Sequence, residues 1–441
     1  MFTRRTPLNP AKLLKNGHSL TEYILLTIPH GQRHYLKLTD HEYFLASFVF
    51  CAVHTEVSSS IPDCKSVTKV TRTSDTASYE YTKASWLVSG WAGLIDYPHE
   101  HYSLIKADFR YYPHTLLIDP TQDYCIIQSH FPITDDVVQS YDDIWDALDR
   151  EPPEQAQSDQ PSIRAWQPLW SKDDYQNAFR RVREYLTAGD TYQINLAMPF
   201  ICNDDLTRAR GIELLTAFDA PHGCIIKSKD RSVFSVSPER LLKIQPKAVD
   251  GGIVRNIETR PIKGTAPRND DPHIDKQNAD TLVNSAKNQA ENLMIVDLLR
   301  NDLSVHALSG SVLTRKLFEL ESHLNVHHLV STITANLKPE ATIADAIRAA
   351  FPGGSITGAP KKRATEIIRE LEPGPRGAYC GSAGYIDDSG LCDFNILIRT
   401  IEAKPEGAVC WGGGGIVMDS DAEDEYQEIQ SKVGRILSTP I

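Results

Sequence analysis

The strongest hydrophobic periodicity in the chain predicts a helix between Ser171 and Gly189. Ser171 followed by an aspartate three residues later is typical of a helix N-terminus, and Gly189 is typical of a C-terminus. The apolar positions recur three or four residues apart and should face the core. They are Tyr175, Phe179, Val182, Tyr185 and Leu186. The next segment, residues 191–197, alternates as a strand does.

A second amphipathic helix is predicted over residues 421–437, with Ser420 as its N-terminal cap. Glu425, Glu428 and Lys432 fall within about 60° of arc on one side of this helix. The apolar stripe beside them should face the core and consists of Tyr426, Ile429, Val433 and Ile436. The two glutamates therefore border the apolar face, where we expect partial burial.

Weaker patterns set the fold class. Short apolar stretches at residues 43–53 and 114–118, broken by turns, predict mixed strand and loop. Residues 149–161 are polar, proline-rich and aperiodic, which is typical of a linker between an N-terminal region, 1–150, and a larger region, 165–441. Strand, turn and helix patterns continue to the C-terminus without an internal repeat. We therefore expect an α+β fold with large antiparallel sheets.

Composition excludes several classes of protein. The net charge of −12 disfavours a nucleic-acid or acidic-membrane partner. The chain has no run of 18 apolar residues, and its basic N-terminus leads to no apolar signal region, so we expect a soluble, cytoplasmic protein. Its eight cysteines are scattered without a C-x-x-C pair, which favours reduced, mostly buried thiols over a zinc site or a disulfide scaffold.

Lys263 has the most unusual setting among the candidate chemical groups. It lies in the segment Glu258-Thr259-Arg260-Pro261-Ile262-Lys263-Gly264-Thr265. The proline fixes the backbone before it, and the glycine after it allows a close approach of the backbone to a neighbour. A buried lysine with a lowered pKa is a nucleophile or a base, whereas an exposed one is an ordinary cation. The local sequence leaves both open.

Two groups of acidic residues are candidates for a metal site. Glu425 and Glu428 could form a solvated acidic face or bind a hard cation such as Mg²⁺. Glu291 opens an almost fully apolar helical segment that Asp302 closes. A charged group beside a buried segment needs a partner, which could be a metal or a structural salt bridge.

Two glycine-rich segments could contact a ligand. Residues 351–363 form a glycine-rich loop that enters a basic helix N-terminus, which favours a small anion, although the spacing of a P-loop is absent. Residues 411–416 allow a close approach of the backbone, or form a simple turn or bulge.

Three further side chains have two interpretations each. Arg399 ends the alternating run of residues 395–399, within a longer apolar alternation over residues 395–401, and its guanidinium would suit a carboxylate. His328 is a possible base or a hydrogen-bonded core residue. Glu239 is a general acid if buried, or it pairs with the neighbouring arginine.

Together these segments resemble the chorismate-utilising enzymes, which include anthranilate, aminodeoxychorismate, isochorismate and salicylate synthases. The resemblance covers residues 166–441 and follows the family order. It is carried by residues 192–196, 237–240, 258–265, 291–302, 328–331, 353–360, 398–400, 413–416 and 425–432. It implies the fold of anthranilate synthase component I, in which large antiparallel sheets form a sandwich-like core flanked by helices.

The resemblance also implies a role for each matched residue. Glu291 and Glu428 would bind Mg²⁺, with Glu425 close by, and Mg²⁺ would hold the ring carboxylate of chorismate. Glu239 would be the general acid, and His328 would lie near the ring. The substrate-binding positions would be Arg399, Lys432, Tyr379, Gly413, Gly415, Thr357 and Gln193.

Two positions select a branch of the family. Isochorismate and salicylate synthases have a lysine that activates water where this chain has Gln193, and anthranilate synthases have alanine where it has Lys263. The form Pro-Ile-Lys-Gly-Thr resembles aminodeoxychorismate synthases of the folate pathway, whose lysine attacks C2 of chorismate and expels the 4-hydroxyl before ammonia adds at C4. This implies covalent catalysis by Lys263.

The ammonia implies a partner. The chain shows no Gly-x-Cys-x-Gly segment of a glutaminase, so we expect a separate glutamine amidotransferase subunit to supply ammonia. The alternatives are an anthranilate synthase component I and a non-catalytic relative that only docks a glutaminase.

Overall fold

The structure is a computed structural model. It describes residues 2–6, 23–27, 48–51, 56–62, 87–99, 105–118, 125–149, 163–209, 211–218, 220–228, 230–249, 252–323 and 326–441. Residues 150–161 of the proposed linker lie outside these ranges. No helix within them is long and apolar enough to cross a membrane.

The described part of the chain contains eight α-helices and 22 strands. The helices are α1 (Asp135–Asp149), α2 (Lys172–Ala188), α3 (Ile212–Ala217), α4 (Pro272–Val283), α5 (Ala286–Ser304), α6 (Ile343–Ala350), α7 (Lys361–Leu371) and α8 (Ala422–Leu437). A short 3₁₀ turn covers Gly354–Ile356. The first eleven strands are β1 (Phe2–Thr6), β2 (Tyr23–Thr27), β3 (Phe48–Cys51), β4 (Glu56–Ser58), β5 (Gly90–Ile95), β6 (Ala107–Tyr112), β7 (Thr115–Ile118), β8 (Cys125–Ser129), β9 (Gln167–Pro168), β10 (Gln193–Cys202) and β11 (Cys224–Lys227). The others are β12 (Ser232–Ser235), β13 (Arg240–Val249), β14 (Gly252–Arg260), β15 (Ile262–Pro267), β16 (Leu313–Ser322), β17 (Val326–Asn336), β18 (Gly358–Ala359), β19 (Ser382–Asp387), β20 (Cys392–Asn395), β21 (Thr400–Lys404) and β22 (Gly407–Ile416).

These strands form two large antiparallel sheets. The first has 12 strands in the order β1-β8-β7-β3-β2-β11-β12-β21-β22-β10-β18, with β9 beside β10. The second has 10 strands in the order β15-β17-β14-β13-β20-β19-β5-β6-β4, with β16 beside β17. The expected α+β fold with large antiparallel sheets is confirmed. Strands from before and after residue 150 share both sheets, and the division into two regions stays a prediction.

One hydrophobic core joins the two sheets. Its buried residues include Leu196 and Phe200 of β10 in the first sheet, and Leu242 of β13 and Phe394 of β20 in the second. Strands that are buried along their length carry near-continuous apolar side chains, as β7 and β8 do. The seven cysteines within the described ranges are buried, as expected for mostly buried thiols.

The predicted helix after Ser171 is confirmed as α2. The Ser171 hydroxyl accepts a hydrogen bond from the Asp174 backbone N–H, and the Asp174 carboxylate accepts one from the Ser171 N–H. Gly189 ends the helix in the left-handed conformation, with a φ of 78°. Capping signals of this kind act over a few residues, so the local sequence is enough to find them.

Two local predictions are wrong. The N-terminal cap of α8 is Asp421 rather than Ser420, because the Ser420 hydroxyl donates to the Glu425 carboxylate at 2.7 Å. Residues 395–401 do not form one strand, since β20 ends at Asn395 and β21 begins at Thr400. The alternation argument for the direction of Arg399 therefore does not apply.

Candidate active site

Lys263 lies at an irregularity in β15. The pairing of β15 with β17 shifts register between Ile262 and Thr265, so Lys263 and Gly264 form a β-bulge. A bulge bends the strand and changes the direction in which a side chain points. Gly264 has a φ of 92°, and a Cβ atom added there would lie 2.9 Å from the Leu282 side chain. Glycine is therefore required beside the lysine for both its conformation and its small size.

Several charges surround the Lys263 amine. Burial lowers the pKa of Lys263 from the ordinary lysine value, and Lys432 lowers it further. Glu291, Glu239 and Glu428 act in the opposite direction but do not cancel the effect of burial. The structure thus brings four predicted site residues around one partly desolvated amine.

Glu239 lies directly before β13 and is 6% exposed. The Ser355 hydroxyl donates to its carboxylate at 2.8 Å. Burial raises the pKa of Glu239, and the Ser355 hydrogen bond and the Lys263 ammonium offset only part of this rise. Arg240 binds Asp393 instead, with an Nε–Oδ1 distance of 2.8 Å. Of the two interpretations of Glu239, the structure agrees with the buried acid.

His328 lies on β17 next to the bulge. Its Nδ1 atom is 2.9 Å from the Thr265 hydroxyl, and the residue is 4% exposed. Burial lowers the pKa of His328 to about 4, and His323 and Arg399 lower it in the same direction. The ring is therefore neutral near pH 7. His328 is hydrogen-bonded in the core and also borders the Lys263 bulge, so its role in the reaction stays a prediction.

The backbone conformation of Arg399, rather than a position on a strand, sets the direction of its side chain. It lies between β20 and β21 with a φ of 53°, and its carbonyl accepts a hydrogen bond from the Val236 N–H. Burial lowers the pKa of Arg399, and the nearby Glu239 acts against this. No ion pair joins Arg399 to another of the described residues. The guanidinium is thus free to bind an anionic ligand.

A strip of exposed backbone on β22 forms one wall of the site. Gly413 and Gly415 are only partly buried, although the rest of the strand's centre is covered. A Cβ atom at Gly413 would lie 2.9 Å from the Tyr379 hydroxyl, and one at Gly415 would lie 3.1 Å from the Gln193 amide carbon. The glycine run is therefore the interior of a strand with side chains from other elements packed against it, rather than a turn or a bulge.

Gln193 carries the clearest sign that a ligand binds here. It is fully buried, and neither its Oε1 nor its Nε2 atom has a hydrogen-bond partner among the described residues. A buried amide without partners costs about 1–3 kcal/mol for each unsatisfied group. A polar ligand over the Gly413–Gly415 strip would satisfy it.

The acidic face of α8 has a buried end and an open end. Glu425 is buried, and burial raises its pKa while the Ser420 hydrogen bond acts in the opposite direction. Glu428 is 54% exposed at its side chain and pairs with Lys432 at 2.6 Å. Lys432 also donates to the Gly413 carbonyl at 3.2 Å. The face therefore lies against β22 on the side of Gly414, where an added Cβ atom would lie 2.8 Å from Glu425 Oε2.

The chemistry of these acids fits a hard cation only in part. Glu291 and Glu428 both act on the charge of Lys263, so both lie near its amine. Within the described ranges, no group of three or more acidic, histidine or cysteine side chains is close enough to hold a metal alone. A Mg²⁺ ion here would need ligand oxygens and water to complete its coordination, as Mg²⁺ commonly does.

The basic residues that follow the loop over residues 353–360 form ion pairs within the protein. Lys361 is buried and pairs with Asp302 at 2.7 Å, and Arg363 pairs with Asp190 at 2.9 Å. These two cations bind other parts of the protein and do not support the predicted anion site at this helix N-terminus, which stays a prediction. For Asp302, the structural salt bridge was the correct alternative. The Thr357 hydroxyl donates to the Gly353 carbonyl at 2.8 Å and braces the loop.

Sequence reasoning missed the residues that support the site. Ser355 binds the Glu239 carboxylate, and Thr265 binds the His328 ring. Both lie within segments that the sequence singled out. Their partners lie far away along the chain, so only the sheet register could reveal them.

Comparison with known proteins shows which family and which relatives this chain is similar to. The model of a protein family described as "chorismate binding enzyme" matches residues 42–438 of this chain. Aminodeoxychorismate synthase component 1 of Salmonella typhimurium is 48% identical over 274 residues, which cover 62% of this chain and 59% of that protein. The protein of the same name from Escherichia coli is also 48% identical over 274 residues, covering 62% of this chain and 58% of its own length. The chain thus spans less than two thirds of the length of these curated relatives.

Solved structures show the same fold. Anthranilate synthase component I of Streptococcus pneumoniae is similar with a TM-score of 0.66 and 25% identity, over 82% of this chain and 83% of that one. The menaquinone-specific isochorismate synthase of Escherichia coli has a TM-score of 0.69 and 17% identity, over 99% of this chain and 94% of its own. The expected anthranilate synthase component I-like fold is confirmed. Because the family match extends over residues 42–438, this chain belongs to the family of chorismate binding enzymes.

Proposed function

We propose that this protein converts chorismate and ammonia into 4-amino-4-deoxychorismate, with Lys263 as a covalent nucleophile. The single observation that carries the proposal is the Lys263 amine, whose pKa is lowered by burial and which has the buried acid Glu239 as a neighbour. The 48% identity to relatives named aminodeoxychorismate synthase component 1 supports it.

Each group has a defined task in the proposed reaction. The neutral Lys263 amine forms a bond to C2 of chorismate, both ring double bonds shift by one position, and the C4–oxygen bond breaks. Glu239 gives a proton to the departing hydroxyl, which leaves as water, and the amine loses a proton. Ammonia then forms a bond to C4, both double bonds shift back, and the bond between C2 and the Lys263 nitrogen breaks. The leaving lysine nitrogen takes up a proton in place of the one that the new C4 ammonium gives up. The lysine thus splits one difficult substitution into two.

The anionic groups of the substrate would bind to cationic and backbone groups. Arg399, Tyr379 and the N–H groups of Gly413 and Gly415 are suitable for carboxylates. Glu291 and Glu428 would hold Mg²⁺, with Glu425 nearby. When bound, the cation would supply positive charge opposite a substrate carboxylate.

A second component would supply the ammonia. The similar proteins are named component 1, which implies a further component. We propose that it is a glutaminase subunit. The free chain should then use ammonium salts but not glutamine, and adding such a subunit should confer the use of glutamine.

Intact-protein mass spectrometry tests the covalent step. Protein incubated with chorismate and Mg²⁺ but no ammonia should gain the mass of chorismate less one water. Lys263→Ala should gain nothing, whereas Lys276→Ala, which removes an exposed lysine on α4, should react as the natural protein does. A Lys263→Ala protein that still makes 4-amino-4-deoxychorismate at full rate would refute the covalent role.

The identity of the product tests the activity itself. With chorismate, Mg²⁺ and ammonium, the expected product retains the enolpyruvyl group and differs from chorismate by an amino group in place of a hydroxyl. Release of pyruvate together with fluorescent anthranilate would instead show an anthranilate synthase. Unchanged chorismate in the presence of every component would indicate a relative that does not catalyse the reaction.

A further inference from the structure

Trp411 is the first side chain on the inner face of the glycine strip. Residues two apart on a strand point to the same face, so Trp411, Gly413 and Gly415 share one side of β22. The two glycines leave room there for the side chains of Tyr379 and Gln193. Trp411 is 4% exposed and closes one end of the strip.

Trp411 and Tyr379 form a parallel aromatic pair. Their ring centroids are 6.0 Å apart, and the ring planes differ by only 9°. A tyrosine ring has two torsion angles, so a neighbour that covers one flat face restricts the position of its hydroxyl. That hydroxyl lies 2.9 Å from the position of a Cβ atom at Gly413, directly over the strip.

The polar atom of Trp411 plays no part in this contact. Its Nε1–H is buried and has no hydrogen-bond partner in the described part of the chain. The contact between Trp411 and Tyr379 is made by the flat faces of the two rings.

We propose that Trp411 is a positioning residue, whose indole face holds the Tyr379 hydroxyl over Gly413 so that it can donate to a substrate carboxylate. The identity of that substrate rests on the proposed function. Burial raises the pKa of Tyr379 well above its ordinary value, so the hydroxyl keeps its proton and remains a donor.

A double-mutant cycle on chorismate affinity tests this role. Trp411→Leu keeps apolar volume but removes the flat face, and Tyr379→Phe removes only the hydroxyl. Each change should raise the Kd for chorismate about tenfold, measured by calorimetry with Mg²⁺, because each removes one hydrogen bond to a charged group. Since Trp411 acts through the hydroxyl, the double variant should bind no more weakly than either single variant.

Two further variants separate positioning from general stability. Trp411→Phe keeps an aromatic face and should restore a Kd close to that of the natural protein. Trp91→Leu breaks a different aromatic pair, with Tyr111 at 5.4 Å, and should leave the Kd unchanged. Thermal unfolding of all variants identifies any that fail to fold, in which case the Trp411→Phe and Tyr379→Phe arms decide.

Three outcomes would overturn the role of Trp411. Additive losses in the double variant would mean that Trp411 acts independently of Tyr379. A Trp411→Phe protein as weak as Trp411→Leu would assign the effect to the N–H group. An equal loss in Trp91→Leu would show a general effect of lost packing. Product formation is measured on the same samples, so a natural protein that binds chorismate in this pattern but makes no 4-amino-4-deoxychorismate refutes only the proposed function.

Discussion

Replacing Glu372 with glutamine should lower the free energy of unfolding by about 3–5 kcal/mol, because it leaves a buried guanidinium without a counter-charge. Glu372 and Arg376 have side chains that are each 1% exposed, and their Oε1 and Nη2 atoms are 2.7 Å apart. A second bond joins Nε to Oε2 at 2.8 Å. Glutamine keeps an acceptor for the Ala197 N–H, which lies 2.9 Å from Oε1. The change removes the charge, and it also places an amide NH2 donor where Oε2 accepted from the Arg376 Nε–H, which adds to the loss.

The same ion pair supports the walls of the site. Arg376 also donates to the carbonyls of Ile356 and Asn195 at 2.8 Å each. Its guanidinium carbon lies 5.6 Å from the centroid of the Tyr379 ring. These contacts reach the loop that carries Ser355, the strand that carries Gln193 and a proposed substrate-binding tyrosine. Loss of the pair should therefore weaken chorismate binding as well as stability.

Urea denaturation followed by circular dichroism measures the effect on stability. The matched control is Asp297→Asn on α5, where the partner Arg300 is 3.0 Å away but the side chains are 63% and 49% exposed. This exposed pair should contribute less than about 1 kcal/mol. Adding Arg376→Met to Glu372→Gln should recover part of the loss, because no unpaired charge then remains. If Glu372→Gln is no more destabilising than the control, the reasoning about burial is wrong.

Three other predictions concern the site directly. Burial lowers the pKa of Lys263, and only the neutral amine is a nucleophile, so the rate of adduct formation should rise with pH and reach its maximum below the ordinary lysine value of 10.5. Mass spectrometry follows the formation of the adduct. A rate of adduct formation that still rises at pH 10.5 would contradict the lowered pKa of Lys263. Gly413→Ala should destabilise the protein by about 1–3 kcal/mol and abolish chorismate binding, since the new methyl would lie 2.8 Å from the Ala197 Cβ atom. Gly434→Ala on α8 is the control: nothing lies within 4 Å of the added carbon, and denaturation should show a gain of about 0.5–1 kcal/mol. Ser355→Ala removes a hydrogen bond that lowers the pKa of Glu239, so the alkaline fall of the pH–rate profile, where the acid loses its proton, should move to higher pH. If the alkaline fall stays at the same pH in Ser355→Ala, Glu239 is not the proton donor.

Elements with local signals were predictable, and elements that depend on tertiary contacts were not. Helix α2 has its cap, apolar stripe and terminal glycine within one stretch of sequence, and all three are confirmed. At the start of α8, Ser420 and Asp421 are both good caps. The choice between them depends on Glu425, which takes the serine hydroxyl after the helix docks. The positive φ of Arg399 likewise has no sequence signal, because arginine rarely adopts it.

The residues of the site could also be predicted only where the signal lies in the local sequence. Lys263 is a candidate from the sequence because a proline precedes it and a glycine follows it. The structure explains the glycine, which lies in a bulge packed against α4 and α5. The serine that binds Glu239 is 116 residues away from it along the chain. The chain order contains no information on that contact. Basic residues near a helix N-terminus suggested an anion, but Lys361 was already bound to Asp302, as a buried cation must have a partner.

The proposed mechanism needs two neutral groups at once, and a single physical cause favours the neutral form of both. Removal from water disfavours the charged form of any ionisable group, so it raises the pKa of Glu239 and lowers that of Lys263. If the site were open to water, the same neighbours would form an ion pair, in which the acid has no proton to give and the amine no lone pair to share. The surrounding Glu291 and Glu428 pull the lysine back towards its charged form, so burial has to outweigh them. Any change that admits water to the bulge should therefore disable the acid and the nucleophile together, without altering either residue.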